Sequence, residues 1–215
     1  MKIFLDTAEV DSVKNHFKTG LIDGLTTNPT LIRKSGRKHE EVYQELKDIG
    51  IKDISMEVIG DTGNMVSEGK RLYKKFGKVA TIKVPCTPNG LAACAHLSVE
   101  GIRVNVTLIF SVAQAILATK AGASYISPFV GRLDDNSASG VELVAKISAL
   151  YQQRMVTKTE VLAASLRDVH SVADCFAVGA DIVTMPPAVF EKMYNHILTD
   201  KGLDQFDKDY AASII

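Results

Sequence analysis

The chain has no excess of charge, few cysteines and no long apolar run, and each lack removes a class of function. Its 215 residues include 25 basic and 25 acidic side chains, so the formal net charge is zero. A molecule without a net field is not built to gather nucleic acid or an anionic membrane surface, so any anionic substrate has to be held by local groups. The three cysteines, Cys86, Cys94 and Cys175, are odd in number and have neither CxxC nor zinc-like spacing. They read as reduced, packed thiols of a cytoplasmic protein rather than as a disulfide framework or a metal site. No segment approaches the roughly 18 apolar residues of a membrane span. Asp6 interrupts Met1-Lys2-Ile3-Phe4-Leu5 before that start reaches the apolar length of a signal peptide. The Asn105-Val106-Thr107 glycosylation pattern is therefore read as incidental. No proline- or glycine-rich linker, low-complexity stretch or internal repeat marks a domain boundary, so residues 1–215 are read as one domain. Histidines do not cluster: His16, His39, His96, His170 and His196 are scattered among expected helices and read as solvated or packed.

What is present is alternation. The chain is 46% hydrophobic and 23% charged, a balance that suits a globular domain with a sizeable core. Short apolar runs predict strands at Lys2 to Leu5, Gly24 to Thr26, Ile54 to Val58, Val79 to Val84, Arg103 to Leu108, Tyr125 to Ser127, Val161 to Ala164 and Ile182 to Thr184. Amphipathic helical stretches lie between them. Thr87-Pro88-Asn89-Gly90 reads as an N-cap with proline at the first helical position, and Gly101, Gly122 and Gly179 sit where helices should stop ahead of a strand. Eight strand-helix units in 215 residues fit an α/β fold, a single-domain (β/α)8 barrel of parallel strands, with an open doubly wound sheet as the alternative. The stretch from Gly202 to Ile215 reads as one further helix whose Leu203, Phe206 and Tyr210 form an apolar stripe, either closing a barrel end or docking on a neighbouring subunit.

Lys83 lies in Thr81-Ile82-Lys83-Val84-Pro85, inside an apolar strand-like run. An ammonium ion is costly to desolvate unless it is paired, and a lysine kept in such a place loses its proton more readily and becomes a nucleophile toward carbonyls. The plainer reading is an edge-strand lysine with its head in water. The company it keeps favours the first. At the carboxyl ends of the expected strands stand Asp6, Thr26 to Asn28, Glu57, Lys83, Asn105 with Thr107, Ser127, and Ser165 with Arg167. In an eight-stranded barrel these ends meet at one mouth, where the chemistry of such folds resides. Polar residues are common at strand ends, but Glu57, Asn105 and Thr107 stand where a mere spacer would more naturally be apolar. Cys86 is read as packing, the charge run Arg33 to Glu41 as a solvated loop and helix start, and Thr26 and Thr27 as residues that orient Asn28.

Six segments carry a resemblance. They are Leu5-Asp6-Thr7, Gly24-Leu25-Thr26-Thr27-Asn28-Pro29-Thr30, Ile82-Lys83-Val84-Pro85, Asn105-Val106-Thr107-Leu108-Ile109-Phe110-Ser111, Ile126-Ser127-Pro128-Phe129-Val130-Gly131-Arg132 and Ala164-Ser165-Leu166-Arg167. In that order, across essentially the whole chain, they resemble the transaldolase family, and most closely its short-chain branch, which includes the fructose 6-phosphate aldolases. The resemblance implies the same (β/α)8 barrel and a cytoplasmic enzyme of carbohydrate metabolism, of the kind the pentose phosphate pathway employs, working without cofactor and without a metal, since an imine replaces the Lewis acid. Lys83 is expected to form a Schiff base with the C2 ketone of a sugar phosphate. Asp6 is expected to take the C4 hydroxyl proton, and Glu57 to shuttle protons through a water held with Thr107. Asn28, Asn105 and Ser127 are expected to bind substrate hydroxyls, Thr26 to line the site, and Arg132, Ser165 and Arg167 to hold the phosphate. As the resemblance has it, transaldolases carry glutamate and phenylalanine where the aldolases carry glutamine and tyrosine; here the pair is Glu57 and Phe129. That implies transfer of a dihydroxyacetone unit between sugar phosphates, with an aldolase releasing free dihydroxyacetone as the runner-up. A barrel that has lost catalysis and only binds sugar phosphates is the reading from another class, and the intact Lys83, Asp6 and Glu57 speak against it. The resemblance further implies a homo-oligomer, a decamer of two pentameric rings reached by the terminal helix.

Overall fold

The computed structural model describes residues 1–213. Eight parallel strands stand in chain order around a closed barrel: β1 (Lys2–Asp6), β2 (Gly24–Thr26), β3 (Ile54–Glu57), β4 (Ala80–Pro85), β5 (Val104–Ile109), β6 (Tyr125–Pro128), β7 (Glu160–Ala163) and β8 (Ile182–Met185). Pairing of β8 with β1, Lys2 opposite Ile182 through Leu5 opposite Met185, closes the ring and removes the open doubly wound sheet from consideration. All eight strands lie where the apolar runs placed them, with no end shifted by more than one residue.

Helices return the chain outside the barrel: α1 (Val10–Phe17), α2 (Pro29–Ser35), α3 (His39–Ile49), α4 (Thr62–Phe76), α5 (Pro88–Val99), α6 (Val112–Lys120), α7 (Val130–Asp134), α8 (Gly140–Gln153), α9 (Val169–Ala177) and α10 (Pro187–Lys192). Their ends follow local chemistry. Thr87 caps α5, its hydroxyl accepting from the Gly90 N–H at 3.1 Å with Pro88 at the first helical position. Gly101, Gly122 and Gly179 follow α5, α6 and α9 with φ of 76, 86 and 104°, the left-handed conformation in which glycine stops a helix before the next strand.

Alternation along the strands divides the apolar residues into two clusters. Outward-facing Leu5, Leu25, Met56, Ile82, Val106 and Val183 are buried against the helices. Phe4, Tyr125, Leu162 and Ile182 belong to a separate, smaller cluster that fills the barrel, Phe4 meeting Tyr125 edge-on with ring centroids 6.3 Å apart. Gly24 makes room for that ring, since a Cβ there would lie 2.6 Å from the Phe4 side chain and 2.8 Å from the Asp53 carbonyl oxygen.

The amino end of the barrel is sealed by a polar knot. The buried Asp53 carboxylate accepts from Thr81 Oγ1 at 2.7 Å and Tyr125 Oη at 2.6 Å, and it pairs with the Arg103 guanidinium. Burial beside that carboxylate pushes the Tyr125 phenol well above its ordinary range. The opposite end is left as the mouth.

The terminal helix α11 runs Ile197–Ser213 and starts ahead of the expected Gly202, while positions 214 and 215 of the expected tail lie outside the described residues. No residue of α11 is buried, and Leu203, Phe206 and Tyr210 are all exposed. The stripe therefore has helical spacing but no surface of this chain to sit on, and the helix seals neither barrel end. Among the described residues no helix is long and apolar enough to cross a membrane.

Candidate active site

Residues paired in register on parallel strands point to the same face, so the barrel's own hydrogen bonds decide which inward side chains meet. Glu57 pairs with Lys83, Lys83 with Asn105, and Asp6 with Thr26. All five point inward.

Lys83 is 5% exposed, which removes the plainer reading of a lysine with its head in water. Its Nζ donates to the Thr27 carbonyl at 3.1 Å and lies 3.1 Å from Glu57 Oε2. A buried ammonium is tolerated here because a carboxylate and a carbonyl replace the water it has lost.

Asp6 holds a different environment. Thr26 Oγ1 donates to Asp6 Oδ1 at 2.7 Å, and Thr26 and Thr184 hydroxyls lie 2.8 Å apart. Burial pushes the Asp6 carboxyl above its ordinary range, and the Lys83 charge and the Thr26 hydrogen bond only partly oppose this. A carboxylate raised in this way is a stronger base once ionised.

A cavity of about 100 Å³ opens at the mouth between these groups. Asp6, Thr26, Asn28 and Lys83 line one part of it, and Thr107, Ser127, Phe129, Arg132, Ser165 and Thr184 the rest. Asn28 is also the N-cap of α2, its Oδ1 accepting from the Leu31 N–H at 3.0 Å, so its amide NH2 remains for a ligand. Thr107 Oγ1 is buried without a protein partner, an orphan hydroxyl beside Lys83 and Ser127. Ser165 lies at φ 61° and accepts from the Gly131 N–H through its carbonyl at 3.1 Å. A Cβ on Gly131 would stand 2.3 Å from that oxygen, so glycine is what lets the two loops approach. The Arg132 guanidinium lies over the Phe129 ring, 4.9 Å from its centre.

Two expected site residues stand elsewhere. Asn105 is wholly buried beneath the cavity, its amide donating to Ser55 Oγ at 3.1 Å and accepting from Ser127 Oγ at 2.7 Å, so it fixes Ser127 from below. Arg167 is exposed and engaged by Asp135 on the rim, outside the cavity lining. Glu57 occupies a third position: besides pairing with Lys83, it faces a wider lateral cleft of about 750 Å³ between α3 and α4. That cleft is larger than the mouth cavity, yet its charges neutralise one another, Glu40 with Arg71 and Lys75, and Glu68 with Arg71. Volume alone does not make it the centre of chemistry.

The structure also supplies residues that sequence reasoning passed over. Thr184 lies in Ile182-Val183-Thr184-Met185, where its hydroxyl breaks an apolar run just as Thr107 does, and that signal was available. The Thr27 contribution is a backbone carbonyl, which no side-chain pattern announces.

Comparison with known proteins identifies the family of the chain. The model of a family described as "Transaldolase/Fructose-6-phosphate aldolase" matches residues 3–214. A "Probable transaldolase" of Paracoccus denitrificans is 50% identical over 212 residues, which cover 98% of this chain and 97% of that protein. One from Caulobacter vibrioides is 51% identical over 214 residues, covering 99% and 98%. A third, from Nitrosopumilus maritimus, is 48% identical over 211 residues, covering 98% and 95%. Among solved structures, a flavocytochrome b2 variant superposes with a TM-score of 0.64 at 13% identity, over 86% of this chain and 56% of that one, a likeness of fold alone.

Proposed function

Because the chain belongs to the transaldolase and fructose-6-phosphate aldolase family, we propose that it is a transaldolase, moving a dihydroxyacetone unit from a ketose phosphate to an aldose phosphate. The donor is sedoheptulose 7-phosphate or fructose 6-phosphate, and the acceptor glyceraldehyde 3-phosphate or erythrose 4-phosphate. The observation that carries the reading is the buried Lys83 amine 3.1 Å from Glu57, with the raised Asp6 carboxyl lining the same mouth.

Each step has a residue suited to it. Lys83 gives its proton to Glu57 and attacks the C2 ketone; Glu57 returns a proton to the departing hydroxyl, water leaves, and a protonated imine remains. Thr107, whose hydroxyl has no protein partner, holds the water through which that proton passes. Asp6 takes the C4 hydroxyl proton, the C3–C4 electron pair flows into the imine, and an aldose phosphate departs from the enamine. The acceptor's aldehyde carbon then receives the enamine carbon, Asp6 protonates the new alkoxide, and hydrolysis of the imine frees the product ketose and Lys83. Asn28 and Ser127 hold substrate hydroxyls, with Asn105 steadying Ser127. Arg132 and Ser165 take the phosphate at the rim, and Arg167 joins them when it leaves Asp135.

Phe129 favours transfer over release, because an apolar ring offers the enamine no proton and leaves it for an aldehyde. We place the enzyme in the cytoplasm, where its three free thiols stay reduced, and read it as a homo-oligomer, a decamer of two five-membered rings, joined through the exposed apolar stripe of α11.

The test is incubation with fructose 6-phosphate, with and without erythrose 4-phosphate, followed by assay of glyceraldehyde 3-phosphate, sedoheptulose 7-phosphate and free dihydroxyacetone. Product formation that requires the acceptor, with borohydride trapping the sugar on Lys83, is the expected result. Release of dihydroxyacetone at an equal rate without acceptor would make the protein an aldolase, and no turnover would leave a sugar-phosphate-binding barrel.

A further inference from the structure

The segment Ile109-Phe110-Ser111 lies beside the site and none of the proposed steps uses it. Its placement follows from one backbone irregularity. Leu108 sits at φ 61°, and the pairing of β5 with β6 shifts register between Val106 and Ile109. Up to that point β5 alternates regularly, Asn105 and Thr107 inward and Val106 outward. Without the bulge, Ile109 would follow Thr107 inward. With it, the alternation inverts: Ile109 is fully buried in the cluster beneath the helices, and Phe110 is left partly exposed against Phe129 of the cavity lining.

Phe110 arrives there against a specific neighbour. Its ring meets that of Phe129 edge to face, with centroids 5.9 Å apart and planes at 66°. Phe129 in turn carries the Arg132 guanidinium on its ring, 4.9 Å away. Arg132 has no carboxylate partner among the described residues, in contrast to Arg167, which Asp135 holds. Asp135 feels the Arg132 charge without pairing with it, and the contact made by the Arg132 head is with the ring beneath it. The base of the stack is itself fixed, because the Phe110 N–H donates to Gln114 Oε1 at 2.8 Å, and Ser111 caps α6 by accepting from the Gln114 N–H at 3.2 Å. Phe110 remains 37% exposed, so burial of its ring is not its main return to stability.

We propose that Phe110 is a positioning residue which, through the Phe129 ring, aims the Arg132 guanidinium at the phosphate end of the substrate. This rests on the transaldolase reading for the identity of that substrate, but not for the existence of an anion site at Arg132. Leu108 is then the backbone device that brings a third member to the stack, and Phe110 acts on phosphate affinity without touching the reacting carbons.

The experiment compares wild type with Phe110→Ala and Phe110→Tyr, using inorganic phosphate as the probe in calorimetry and the phosphorylated ketose as donor in the assay. An edge-to-face contact of this kind corresponds to about a three- to ten-fold change in an equilibrium. The alanine variant is expected to raise both the phosphate Kd and the donor KM by that factor while kcat changes less than two-fold, and the tyrosine variant, which keeps the ring, is expected to restore both. A lower melting temperature or kcat with both constants unmoved would overturn the proposal and leave Phe110 a structural residue. Should the alanine variant not fold, Phe110→Leu is read by the same criteria. Because phosphate binding is measured without turnover, a wild type that transfers nothing would overturn the transaldolase reading separately.

Discussion

Lys83 and Glu57 stand side by side in register on β4 and β3, their ammonium and carboxylate 3.1 Å apart and both largely withdrawn from solvent. Neither has a second ion pair, although Lys83 also donates to the Thr27 carbonyl and its charge reaches Asp6, so each supports the other's burial. The same pair joins two spaces, since Lys83 lines the mouth cavity and Glu57 also faces the lateral cleft between α3 and α4.

Glu57→Gln therefore has two expected effects. Imine formation loses its proton carrier, a loss of about 10²-fold or more, and the Lys83 charge is left buried against a neutral amide, at a cost of about 3 kcal/mol in stability. Single-turnover borohydride trapping measures the first, and denaturant unfolding the second. Full-rate trapping in the variant would remove Glu57 from the mechanism.

The raised Asp6 carboxyl places the acid limb of activity at higher pH than an ordinary carboxylate gives. Thr26 opposes the shift by donating to the ionised form, so Thr26→Val is expected to move that limb further toward neutrality. The sign reverses for stability. A carboxyl whose folded pKa is raised weakens the fold as pH climbs through the interval between its unfolded and folded values, where the unfolded chain ionises first. Asp6→Asn is accordingly expected to abolish transfer while leaving the pH 7 melting temperature unchanged or higher. The pH profile of kcat/KM and a pair of melting curves check both statements.

Phe129→Tyr is expected to increase release of free dihydroxyacetone at the expense of transfer, because a phenol at that position can protonate the enamine. Dihydroxyacetone assayed without acceptor decides it, and a rate equal to wild type would show that the ring's hydroxyl is not the determinant.

The two rim arginines are expected to differ. Arg132→Ala removes a guanidinium that lines the cavity and is expected to raise the donor KM by more than ten-fold, on the scale of a charge-assisted hydrogen bond of about 1.5–3 kcal/mol. Arg167→Ala removes a group already held by Asp135, and a smaller rise is expected. Asp135→Ala frees Arg167 and is expected to lower KM. Steady-state kinetics of the three variants ranks them.

Truncation after His196 removes α11, which contributes no buried residue to its own chain. Light scattering is expected to show a smaller assembly, with the barrel's melting temperature little changed for subunits of equal concentration. An unchanged mass would exclude the helix from the subunit contacts.

Most of the barrel was legible because its signals are local. Each strand is an apolar run of a few residues, and several helices begin at a side-chain cap or stop at a glycine, so Thr87, Gly101 and Gly179 told that part of the chain's punctuation directly. The inward polar residues were legible for the same reason, Lys83 and Thr107 breaking apolar runs. What stayed hidden depends on partners that are distant in sequence. Asn105 was expected to meet substrate, and its two hydrogen bonds beneath the cavity, one N–H given to Ser55 and the oxygen accepting from Ser127, come from strands remote in sequence. The ion pair that Arg167 makes with Asp135 on a different loop likewise had no local signal. The inversion at Leu108 is a backbone conformation that leucine seldom adopts, and no residue type announces it. The tail helix showed its stripe but not its emptiness, since exposure of Phe206 depends on what the rest of the fold leaves uncovered.

Closure of the ring between β8 and β1 has a consequence for how this chain meets copies of itself. Every strand of the barrel is flanked on both sides, so its backbone presents no free edge on which another strand could add. Strand addition and the fibrillar stacking that grows from it are closed to the folded barrel. Association of folded copies is left to side chains of the surrounding helices and loops, where a single substitution can tune a contact without disturbing a hydrogen-bonded ladder.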